Sequence, residues 1–168
     1  SDLEGLRFPE APATDGLEEA MRYSLLAGGK RTRPVLALAT ARSIGLDPEG
    51  VLPAAAAIEL IHTYSLIHDD LPAMDDDELR RGMPTSHVEF GEDVAILAGD
   101  ALFAEAMRLF CVRQGGEPAR VLAALGELVS ATGLGGMVGG QYVDVTTFDV
   151  RDPEHPALCE RCLPIIRT

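Results

Sequence analysis

Six carboxylates fall within ten residues, at Asp69, Asp70, Asp75, Asp76, Asp77 and Glu78, and Arg80 and Arg81 follow at once. Acids this crowded repel one another unless cations lie between them, and aspartates clustered without Cys or His partners suit a hard divalent ion such as Mg²⁺. Taken alone, the acids also fit a solvated loop, the usual role of a charge run. His62 stands seven residues before Asp69. Seven helical steps return to within about 20° of the same face, so one helix face offers an imidazole and a carboxylate to a shared cavity. A histidine in an apolar helix is more often a satisfied core residue, and only this alignment gives His62 weight.

A second cluster, GGKRTRP over residues 28–34, supplies cations. Glycines beside Lys30, Arg31 and Arg33 at a helix start can present N–H groups and guanidinium forks to phosphate with little steric hindrance. A basic helix junction is the plainer reading of this stretch, and it is not a P-loop, which needs a preceding strand and G-x-x-x-x-G-K. Together, the two clusters suggest metal-bridged phosphate, with carboxylates and phosphate oxygens sharing Mg²⁺ while arginines neutralise the remaining charge.

The elements that must position these groups read as helices throughout. Alanine and leucine dominate, and apolar residues recur at helical spacing between the glycines and prolines. The pattern predicts helices from Thr14 or Asp15 to Leu26, from near Pro34 to Gly45, over 48–70, over 92–113 and over 117–132. The fourth is apolar on most sides and is expected to be central. Pro72 ends the third. Asp69 and Asp75 are six residues apart, about 240° on an ideal helix, so they can face one ion only if the chain leaves the helix between them. GLGGMVGGQYVDV, residues 133–145, is unusually glycine-rich for a helix, which predicts close approach of a ligand or another helix there.

Composition bounds the rest. With 168 residues, 46% hydrophobic, the chain is expected to form one domain over 1–168. A net charge of −13 and a pI near 4.6 argue against nucleic acid as partner. No membrane span and no signal peptide are expected, and three cysteines give no disulfide framework, so a cytoplasmic protein is expected. His155, Cys159 and Cys162 carry partial zinc spacing without a fourth ligand nearby. Exposed apolar faces over 94–110 and 121–137 predict self-association.

GGKRTRP, IELIHTYSLIHDDLPAMDDDELRRGMPTSH, AILAGDAL and GGQYVD, in that order, resemble the trans-isoprenyl diphosphate synthases, most closely the bacterial farnesyl diphosphate synthases, over residues 17–144. The resemblance implies an all-α fold, the N-terminal part of the isoprenoid synthase helical bundle. It implies a short-chain prenyltransferase that condenses an allylic prenyl diphosphate with isopentenyl diphosphate, a geranyl or farnesyl product, Mg²⁺ as cofactor and a homodimer. It makes Asp69 and Asp75 metal ligands with Asp70 as helper, Arg80 a ligand of the allylic diphosphate, and Gly29, Lys30, Arg33, His62 and Arg81 the binders of isopentenyl diphosphate. Asp69, Asp70, Asp75, Arg80 and Lys30 are then the expected catalytic set, with Gln141 of GGQYVD and Tyr64 also at the substrates. In short-chain members a bulky residue five positions before the first aspartate closes the hydrocarbon pocket, and Tyr64 stands there; its plainer role is to fill core.

The family's second aspartate-rich motif and the Lys-Thr pair before it are not matched, Arg167-Thr168 lying near the place of the pair. The sequence is therefore expected to cover about the N-terminal half of the fold and to have little activity alone. A terpene cyclase would share the aspartate-metal chemistry but needs no second diphosphate pocket. A non-catalytic partner subunit would explain the unmatched motif but has no need of the first.

Overall fold

The structure is a computed structural model that describes residues 3–9 and 12–147. The zinc-like spacing of His155, Cys159 and Cys162 and the pair Arg167-Thr168 lie outside the described residues. The chain divides into two compact units, Ser1–Gly115 and Gly116–Thr168.

In the first unit, α1 (Asp15–Leu26), α2 (Thr32–Ser43), α3 (Leu52–Asp69), α4 (Ser86–Phe90) and α5 (Glu92–Arg113) surround a core centred on α3 and α5. Short 3₁₀ turns, Pro12–Thr14 and Pro48–Val51, precede α1 and α3. The 3₁₀ turn before α3 accounts for the residues expected at the start of the third helix. The expected bounds of α1 and α5 agree closely with those found, while α2 starts two residues early because Pro34 is tolerated within a first turn.

The register between α3 and α5 follows from side-chain size. Tyr64 meets Phe103 edge-on at 5.3 Å between centroids. His68 occupies the space above Gly99, where any Cβ would collide with its ring. Near the other end, Gln114 accepts from Ala54 N at 3.1 Å and donates to Gly50 O at 2.8 Å, satisfying backbone groups at the start of α3. Numbers rise along α3 as they fall along its partner, so the two helices run antiparallel. Small residues, Ala55 and Ala57 on α3 and Ala95, Ala98 and Ala106 on α5, are fully or almost fully buried and let the helices approach, while Leu60, Leu102 and Phe110 fill the remaining space.

Two elements between α3 and α4 were not anticipated. Leu79–Arg80 (β1) and Met83–Pro84 (β2) pair antiparallel, Leu79 opposite Pro84 and Arg80 opposite Met83. The two residues between them, Arg81 at φ 56° and Gly82 at φ 82°, both take positive φ, as a tight hairpin turn with the strands' own twist demands. Thr85 pins the base by donating to Asp77 O (2.7 Å) and through its N–H to Glu78 O (3.0 Å), and Tyr23 on α1 donates to Pro84 O (2.9 Å).

The second unit holds α6 (Pro118–Thr132) and α7 (Met137–Thr147). Glu117 caps α6, its carboxylate accepting from Ala119 N and Arg120 N, with Pro118 at the first helical position. The glycine-rich stretch closes on its own chain: a Cβ at Gly136 would overlap the backbone of Ala131, and one at Gly139 that of Leu134. The expectation that no run approaches a membrane span needs correction. Two helical runs, Pro48–Asp69 and Pro118–Thr146, are long and apolar enough to cross a bilayer by length and composition. The first carries the core face of α3.

Candidate active site

The acid loop leaves the helix where Pro72 requires it. Leu71 N donates to His68 O, Met74 N to Leu71 O, and Asp75 N to Asp69 O at 2.9 Å. This last bond folds Asp75 back onto the end of α3, so two aspartates that an ideal helix would separate share one turn. Asp76 completes the loop at φ 54°, a left-handed conformation that aspartate tolerates better than most residues. Asp69 is half-buried and Asp75 is exposed. Among the described residues no three Asp, Glu, His or Cys converge into a metal cage. A pair of all-oxygen donors on one turn still suits Mg²⁺, which is held by one or two carboxylates together with substrate phosphates.

Asp70 takes a different place from its neighbour. It is 3% exposed, and both its oxygens accept from Arg80 Nε, at 2.7 and 2.9 Å, with Arg80 Nη2 at 2.5 Å from Oδ1. Asp77 adds a contact at 3.3 Å. The hydrogen bond to Asp70 raises the pKa of Arg80 beyond its usual value, against its partial burial. Asp70 is thus the anchor that fixes a fork-shaped cation at the edge of the acid loop.

One residue on, at the hairpin turn, Arg81 takes different partners. Its guanidinium donates to Gly28 O and lies over Gly29, where φ is +115° and a Cβ would overlap the guanidinium itself. Glycine is required there for close approach as well as for backbone freedom. Gly28, Gly29, Lys30, Arg33, His62 and Arg81 line one cleft of about 640 Å³, together with Arg31 and Glu59. All five residues expected at the isopentenyl diphosphate site are therefore brought together from three separate segments. His62 is held below the ordinary histidine range, first by burial and then by Arg33, with Arg81 and Arg31 adding to it and Glu59 opposing.

Tyr64 is half-buried one turn before His68, packed edge-on against that ring at 5.5 Å and against Phe103. Burial, with Asp100 nearby, raises its phenol pKa. Gln141 stands on α7 in the second unit.

Sequence reasoning missed Glu59 and Phe103. Glu59 carried a signal, as a carboxylate three residues before His62 in an otherwise apolar stretch. Phe103 carried none, because its partner Tyr64 is distant in sequence.

Comparison with known proteins gives concordant matches. Residues 14–158 match the family model described as polyprenyl synthetase. The chain is 56% identical over 131 residues to geranylgeranyl pyrophosphate synthase 7, chloroplastic, of Arabidopsis thaliana, which covers 78% of this chain and 38% of that protein. It is 54% identical over 134 residues to the heterodimeric geranylgeranyl pyrophosphate synthase large subunit 1 of the same plant (78% and 36%). With the farnesyl diphosphate synthase of Bacillus subtilis (strain 168) it shares 50% over 133 residues (78% and 45%). Among solved structures, an FPP/GFPP synthase from Zymomonas mobilis superposes with a TM-score of 0.84 at 41% identity, over 96% of this chain and 57% of that one. A geranyltransferase from Legionella pneumophila gives 0.80 at 42%, over 95% and 53%. The chain spans less than half the length of these curated relatives.

Proposed function

The chain belongs to the polyprenyl synthetase family and has its all-α isoprenoid synthase fold, and from that premise we propose that it carries both diphosphate sites of a short-chain prenyl diphosphate synthase. One substrate is an allylic diphosphate and the other isopentenyl diphosphate, joined head to tail. The observation that supports this best is that adjoining arginines take part in two phosphate-competent clusters. Arg80, gripped by Asp70, faces the acid loop, and Arg81 enters the cleft of Gly29, Lys30, Arg33 and His62. A diphosphate lyase would need only the first.

In this reading Asp69 and Asp75, with Asp70 behind them, hold Mg²⁺, which when bound supplies positive charge to phosphate oxygens. Arg80 shares the charge that develops on the departing diphosphate, and because Asp70 fixes it in advance it need not reorganise as the bond breaks. The allylic C–O bond breaks with its electron pair leaving on the diphosphate. The alkene of isopentenyl diphosphate attacks the resulting cation, and a proton is then lost. Lys30, Arg33, Arg81 and His62 keep the second diphosphate in place while its alkene reacts, a positioning role. The tail runs along α3 toward Tyr64, which closes the pocket for a farnesyl-length product. The protein acts in the cytoplasm as a homodimer.

Calorimetric titration of pyrophosphate tests the metal half. Binding is expected to tighten strongly with Mg²⁺, and this increment should vanish in Asp75→Asn; equal affinity with and without metal would refute it. Incubation with Mg²⁺, isopentenyl diphosphate and an allylic diphosphate, alone and beside a full-length homologue, followed by chromatography for a product five carbons longer, tests the reaction.

A further inference from the structure

Glu59 is a puzzle in a cleft proposed to bind diphosphate. It is 1% exposed, it lines the cleft, and its negative charge opposes a diphosphate anion. Its Oε1 accepts from Arg31 Nη1 at 2.6 Å, while its Oε2 is buried with no hydrogen-bond partner among the described residues. Burial of a carboxylate with one oxygen unsatisfied costs free energy, so a gain elsewhere must offset it.

The gain lies in the backbone of the cationic loop. Gly28 and Gly29 take positive φ freely, but Arg31 also stands at φ 49°, ψ 36°. That conformation is unfavourable for a non-glycine residue and persists only where the surroundings enforce it. Arg31 is held at both tips of its fork, by Glu59 Oε1 and by Leu25 O in the last turn of α1 at 2.5 Å. Of the three cations in GGKRTRP, Arg31 alone is thus turned inward and neutralised, and Lys30 and Arg33, both exposed, are left to the cleft.

Resting on the proposed isopentenyl diphosphate site, we infer that Glu59 is the positioning residue of that site. Its buried carboxylate locks Arg31 in the left-handed conformation and thereby sets where Lys30 and Arg33 present their charges.

The sign of one substitution separates positioning from simple charge. Glu59→Gln removes a negative charge from the cleft, so if Glu59 acted only through its charge, isopentenyl diphosphate would bind tighter. Positioning demands the reverse. Calorimetry with isopentenyl diphosphate in chelator, where the acid loop contributes nothing, is expected to show affinity about tenfold weaker in Glu59→Gln, about 1.4 kcal/mol. The Mg²⁺-dependent binding of pyrophosphate should be unchanged, which general loosening of the fold would not allow. Should Glu59→Gln fail to fold, Glu59→Asp keeps the charge but shortens the reach, and the same loss is expected. Wild-type protein that binds no isopentenyl diphosphate would overturn the proposed site and this inference together. Wild-type binding with either folded variant binding equally well or better would overturn the inference alone.

Discussion

Replacing Gly29 by alanine separates two consequences that usually come together. A Cβ at Gly29 meets the Arg81 guanidinium at overlap distance, and the backbone φ of +115° is one that alanine resists. Gly28→Ala is the internal control: its φ is +86°, yet nothing lies within 4 Å of a Cβ there. Both variants should lose about 1–2 kcal/mol of stability through the backbone alone. The steric clash adds little to that, because the atoms struck are the free end of a long side chain. What it changes is where that end sits. Arg81 is pushed off Gly28 O and out of line with the cleft, so Gly29→Ala should forfeit one charge-assisted hydrogen bond to diphosphate. Such a bond contributes about 1.5–3 kcal/mol, an affinity loss of roughly ten- to a hundredfold for isopentenyl diphosphate. Gly28→Ala should lose no more than about threefold. Thermal melts and metal-free calorimetry on both variants, and on Gly29→Ala in an Arg81→Ala background, check the account. In that background the clash has no partner and the additional affinity loss should disappear. Equal affinities for the two glycine variants, at equal stability, would refute the assignment of Arg81 to the cleft.

His62 should make stability fall on acidification: burial and the nearby arginines hold its pKa below the ordinary value of 6.5, so the unfolded chain binds the proton first and stability is lost as pH drops below about 6.5. Melts across this range should show a shallower slope in His62→Gln, and an unchanged slope would count against the shift. Tyr64→Ala in a full-length synthase should open space beside Phe103 and shift products from about C15 toward longer chains, with diphosphate binding preserved; an unaltered distribution by chromatography would place the floor on α5, near Leu97 and Ala101. Sedimentation should show self-association, because Leu97 at 55% and Leu122 at 68% exposure leave apolar side chains in water; monomer at high concentration would refute it.

The sequence by itself determined the helices. Periodicity, proline positions and glycine stops fixed α1, α5 and α6 to within a residue or two, since these signals act within a few turns of chain. The acid cluster, the paired arginines and GGKRTRP carry the expectation of metal-bridged diphosphate. Tertiary structure decided which charged residue meets which partner. Six acids within ten residues look alike in sequence, but the bond from Asp75 N to Asp69 O joins two of them, and the fork of Arg80 removes Asp70 to an anchoring role. Three cations in GGKRTRP look alike, but Glu59, twenty-eight residues away, turns Arg31 inward. Arg80 and Arg81 look like a doublet, but around a hairpin turn with two positive φ values Arg80 pairs with Asp70 while Arg81 reaches Gly28 O. Each outcome depends on a partner distant in sequence or on a backbone conformation that propensity does not favour, and neither leaves a periodic trace in the chain.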